Sequence, residues 1–157
     1  MRCHVTIEGS LHSAAISKTS GLLVGYMRSG IAPVETCRGT EGARPSGLDE
    51  SLPWHLRYDS FAGTLPRITS IKFRVIGASF LLTIFGVSCL YRTTAESPGL
   101  VIASLNAEGN VTAVRADETA SIPKSSGSVL CPSSGTASGS GTMSVVGAQN
   151  GMTVRLI

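Results

Sequence analysis

The chain has 157 residues, the size of one domain and too short for a multi-domain enzyme. Its 18 Gly, 22 Ser and 7 Pro predict long irregular stretches, while 42% hydrophobic residues exclude wholesale disorder. Only 15% of residues are charged, the net charge is +3, and the basic residues are too scattered for a phosphate-binding face, so nucleic acid is excluded as a partner.

Residues 1–68 show no helical period and are broken repeatedly by Gly, Ser and Pro, which predicts an irregular N-terminal region. Cys3–Glu8 alternates as a strand should, and Leu22–Met27 is a second strand candidate. Glu35–Arg67 has a loop's or linker's composition, with Trp54, Tyr58 and Phe61 scattered through it, either to pack on the apolar segment that follows, the favoured reading, or to lie at a membrane surface.

That segment, Val75–Tyr91, is a run of 17 uncharged residues flanked by Lys72, Arg74 and Arg92. Its length as a helix, about 25 Å, falls just short of a hydrocarbon core of about 30 Å, and the flanking cations can snorkel. Residues 69–92 therefore read as a membrane or signal-anchor helix, with the C-terminal side exported under the positive-inside tendency. Three variants accompany this reading. Cleavage near Ala95, after Thr93-Thr94, would release a secreted domain. Gly86-Val87-Ser88-Cys89 partly matches a lipidation signal at Cys89. Translation starting at Leu65 would leave residues 1–64 unexpressed.

Residues 93–157 predict a small β-rich domain. Leu100–Leu105 and Val111–Arg115 form a hairpin about the turn Asn106–Asn110. A Ser/Gly-rich linker, 125–141, contains a short strand candidate at Val129–Cys131. A second hairpin pairs Thr142–Gln149 with Met152–Ile157 about Asn150-Gly151, placing Val145 opposite Leu156. The last strand is an edge through which copies or partner proteins could associate. The fold class expected is thus mainly β with one apolar helix: a small antiparallel sheet of two hairpins following a single anchor helix.

No phosphate loop, dinucleotide turn, zinc-protease helix or nucleophile elbow is present. Cys3, His4, His12 and Cys37 have no zinc-ligand spacing. Ser121-Ile122-Pro123-Lys124 matches S-x-x-K, in which a lysine amine activates a serine, but Pro123 opposes the helical turn that would join them. Asn110-Val111-Thr112 is a formal glycosylation sequon. No catalytic, cofactor or metal residue is assigned. The stretch Gly135–Arg155 resembles the closing strands of minor pseudopilins of type II secretion and type IV pilus systems, although that family's glycine and glutamate at the apolar helix are missing from Val75–Tyr91. The function expected is a non-catalytic, membrane-anchored or exported structural or interaction subunit of an envelope assembly. The alternatives are a soluble β-rich virion or filament component, a pseudopilin-like protein, and a Ser/Lys hydrolase.

Overall fold

The computed structural model describes residues 6–13, 15–31, 44–46, 49–141, 143–145 and 155–156. Among these residues, apart from a 3-10 turn at Asp49–Ser51, the regular elements are strands: β1 (Thr6–Leu11), β2 (Ala15–Ile16), β3 (Leu23–Ile31), β4 (Arg44–Ser46), β5 (Trp54–Thr64), β6 (Arg67–Ile76), β7 (Ser79–Ile84), β8 (Val87–Arg92), β9 (Gly99–Leu105), β10 (Val111–Ala116), β11 (Ser121–Gly127), β12 (Ser134–Thr136), β13 (Ser140–Gly141), β14 (Met143–Val145) and β15 (Arg155–Leu156).

The larger sheet runs β13-β10-β9-β6-β5-β3-β1-β14. Its two terminal strands are one residue apart in the chain, so the sheet curls round until they meet. Gly141 registers with Val114 of β10, and Met143 with Ile7 of β1. The β1–β14 seam is parallel, whereas the other pairings in this sheet are antiparallel. A smaller open sheet, β12-β11-β8-β7-β4, packs beside it, and β15 pairs with β2. Strands from residues 1–68, 69–92 and 93–157 interleave in the large sheet, and the segment read as a linker contributes its longest strand, β5.

The expected helix at 69–92 is not there. Arg67–Ile76 is a strand whose side chains alternate, with Ile71, Phe73 and Val75 buried and Lys72 and Arg74 on the outer face. At Gly77, with φ of +92°, the chain turns a corner into β7. Phe85-Gly86, both at positive φ (49° and 80°), then closes a two-residue hairpin onto β8. Positive φ at both central positions matches the twist of the flanking strands, and glycine takes it at no steric cost. The uncharged run is therefore a strand end, a corner and a hairpin, built from β-branched and aromatic residues that suit a pleated surface. Among the described residues no helix is long and apolar enough to cross a membrane.

Other expectations also change. Val145 registers with Gly9 and Leu156 with Ile16, so the anticipated Val145–Leu156 pair is replaced by pairings with N-terminal strands. The Asn150-Gly151 turn lies outside the described residues, as do Cys3, His4 and Cys37. Val129–Cys131 is a turn, and the 125–141 segment holds the end of β11 together with β12 and β13. The β9–β10 hairpin forms, with Val114 opposite Ala103.

Two apolar clusters hold the molecule together. The larger, within the curled sheet, contains Met27, Trp54, Leu56, Ile71 and Phe73, each at most 3% exposed. The smaller, on the second sheet, contains Cys89, Tyr91, Ile122 and Cys131. Phe80 touches both clusters and tilts against Trp54, with ring centroids 6.0 Å apart. The corner between the sheets is tied by Thr93, a buried polar residue. Its Oγ1 accepts from Ala78 N at 2.9 Å, its own N–H donates to Ala78 O at 2.9 Å, and its carbonyl accepts from Gly77 N at 3.1 Å. Each polar group at this bend thus has a partner, which removes the main cost of burying it.

Candidate functional site: an apolar apex and a cavity between the sheets

Two hairpins of the smaller sheet end side by side. β8 and β11 are antiparallel neighbours, with Cys89 opposite Gly127, so the Phe85-Gly86 turn before β8 and the Ser128–Cys131 turn after β11 project from the same end. At these tips Phe85 is 81% exposed, Val129 95% and Leu130 78%, the three most exposed large apolar side chains among the described residues.

The second turn is held from several sides. Cys131 is bonded to Cys89 of β8 across 42 residues. Lys124 Nζ donates to the carbonyls of Ser128 and Cys131, at 3.2 and 3.3 Å. Cys131 N–H closes the turn onto Ser128 O at 3.1 Å, and Ser128 Oγ accepts from Leu130 N. Gly127, at φ +121°, lies so close to β8 that a Cβ there would stand 2.5 Å from Ser88 O. The apolar tip is therefore presented on a rigid mount.

The charge around it is one-sided. The five strands of this sheet carry Arg44, Arg92 and Lys124 and no carboxylate. Among the described residues, Asp59 lies on β5 of the larger sheet, whereas Asp49, Glu50, Glu96, Asp117 and Glu118 lie on the connections between the two sheets. Asp59 accepts from Arg74 Nε at 2.7 Å. Burial raises the Asp59 pKa, but the hydrogen bonds from Arg74 and Ser60 and the charges of Arg74 and Lys72 outweigh it, leaving the group below its ordinary value. Asp117 accepts from Lys72 Nζ at 2.8 Å and from Thr119 Oγ1 at 2.8 Å. Those hydrogen bonds, the lysine's foremost, hold its carboxyl at about 2.

A folded-state value below the unfolded one, about 3.9, means that Asp117 stabilises the fold at pH above about 4 and ceases to as pH falls from about 4 to about 2. The Lys72 side chain is 33% exposed, so solvent screening reduces the nominal gain to about 1 kcal/mol. Urea titrations of Asp117→Asn should show that deficit at pH 7 and none at pH 2.

The second feature is a cavity of about 120 Å³ at the junction of the two sheets. Met27, Trp54, Val75, Phe80, Val114 and Ile122 form its walls. The exposed members of its lining, Arg115 and Ser140, mark its mouth, between the 117–120 turn and the 137–140 loop.

No known family, characterised protein or solved structure matches this chain. The site must then be read from its own residues.

Ser121 and Lys124 are not brought together. They lie three residues apart on β11, which puts their side chains on opposite faces and their Cα atoms about 10 Å apart. The Lys124 amine is directed to the apex turn instead, a structural role that S-x-x-K spacing does not reveal. Cys89, read as a lipidation site, has its sulfur in the disulfide, and Thr93, read as part of a cleavage site, is buried at the corner. Of the His/Cys grouping, His12 is described. Its ring lies tilted against Tyr26 at 5.1 Å, Tyr26 lies 5.2 Å from His55, and among the described residues no three metal-binding groups cluster. The apex was missed because Phe85 is 44 residues from Val129 and 45 from Leu130; the available signal was Phe-Gly between two apolar runs.

Proposed function

We propose that this chain is a non-catalytic docking subunit of a membrane or envelope assembly, exported to an oxidising compartment, which contacts the membrane surface through the apex. The observation that carries this reading is the trio of exposed apolar side chains on two hairpin tips stapled by the Cys89–Cys131 disulfide. Disulfides persist mainly in oxidising compartments. Convex apolar tips suit insertion among lipid headgroups, whereas three side chains are far too few for a protein interface of about 800 Å² a side. The carboxylate-free sheet behind them favours an anionic surface.

The test is co-sedimentation of the full chain with vesicles of phosphatidylcholine and phosphatidylglycerol. Phe85→Ser with Leu130→Ser should weaken binding by about tenfold or more, since each side chain gives up on the order of 1.5 kcal/mol of burial. Binding that is absent, or indifferent to these changes, rejects the proposal. Self-association abolished by the same changes would instead support a soluble assembly component.

A further inference from the structure

The cavity at the sheet junction is a candidate ligand site independent of the apex, since none of the apex side chains lines it. Its chemistry is selective. The walls come from both apolar clusters, with two aromatic rings, Trp54 and Phe80, set at 53° to each other. The polar groups nearest the interior are already engaged: Thr93 Oγ1 with Ala78, and Trp54 Nε1 with Ser51 Oγ at 2.8 Å. Among the described residues no buried polar side-chain atom lacks a partner, so none is left unsatisfied for a polar ligand to meet. Charged groups, Arg115 and Asp117, occur only towards the mouth, and Asp117 is committed to Lys72. A charged or strongly polar molecule would lose its hydration there without compensation. Engineered apolar cavities of about 150 Å³ stay dry and take up benzene or xenon, which sets the scale for one of 120 Å³.

We propose that the cavity binds an uncharged single-ring aromatic or a branched hydrocarbon group of similar size, entering between the 117–120 turn and the 137–140 loop. Such a ligand supplies the contacts that the walls otherwise forgo, and its affinity comes from dispersion and desolvation. The mouth turn at Asp117 sets the entrance, while the aromatic pair sets the shape.

Trp54 is the chain's one tryptophan and lines the cavity, so its fluorescence reports occupancy directly. Iodobenzene should quench it saturably, benzene should compete the quenching away, and Ala120→Leu and Ala137→Leu, which fill the space from two different segments, should each weaken binding by about tenfold or more. In the unaltered protein, benzene should shift the amide resonances of Val75 and Val114. Quenching that rises linearly with iodobenzene, saturable quenching that persists in both folded filling variants, or benzene shifts centred elsewhere would overturn the proposal. Because Phe85→Ser and Leu130→Ser leave the cavity untouched, iodobenzene binding should survive the loss of vesicle binding, and each proposal can fail alone.

Discussion

Removing the disulfide with Cys89→Ala and Cys131→Ala should lower stability by about 3 kcal/mol and the thermal midpoint by roughly 6–12 °C. The bond closes a loop of 42 residues, for which chain entropy alone gives about 4 kcal/mol, and native-state relaxation returns part of it. Both half-cystines are nearly buried, 2% and 5% exposed, so alanine keeps the site apolar. A second effect accompanies the first. Cys131 ends the turn that carries Val129 and Leu130, and without the bond that turn retains only the Lys124 and Ser128 hydrogen bonds. Vesicle binding measured well below the new midpoint should therefore fall too, because ordering the tip becomes part of the binding cost. Differential scanning calorimetry with and without reductant checks the stability effect; unchanged midpoints would remove the staple from the account.

Phe73→Ala should be among the most damaging single changes in the large sheet, at about 3–5 kcal/mol, a large share of the roughly 5–15 kcal/mol that holds an ordinary domain folded. Phe73 is 2% exposed on a central strand, between Tyr58 of β5 and Val101 of β9. Paired strands on both sides prevent the backbone from collapsing into the space that a phenyl ring vacates, so the cavity term is felt in full. The neighbouring position is the control. Lys72 points the other way and pairs with Asp117 at 2.8 Å in a partly exposed setting, so Lys72→Ala should cost no more than about 1 kcal/mol. Guanidinium unfolding of the two variants separates an interior from an exterior residue one position apart.

That contrast also shows what was legible. Ile71-Lys72-Phe73-Arg74-Val75 alternates with period two, as plainly strand-like as any stretch of the chain. The membrane reading passed over it by taking Lys72 and Arg74 as flanking charges of an apolar helix. Gly77 and Gly86 divide the uncharged run into pieces of strand length, but glycine is also common in membrane helices, so composition alone could not arbitrate. The β9–β10 hairpin was readable because its turn is local. The curled sheet was not, because its seam joins Met143 to Ile7 and its β3–β5 pairing joins Gly25 to Leu56, partners too distant for a short window of sequence to contain. The disulfide partner was hidden for the same reason, since four cysteines allow three pairings. The apex, too, arises only once two distant turns are laid on adjacent strands.

The one-residue gap between Gly141 and Met143 has an outcome for how the molecule must be made. The same short piece of chain serves as a clasp, satisfying the backbone of β10 on one flank and of β1 on the other. Until it arrives, both strands offer bare ladders to any neighbouring nascent copy, so shortening the gene from its 3′ end should favour inclusion bodies well before the truncation reaches the buried Cys131.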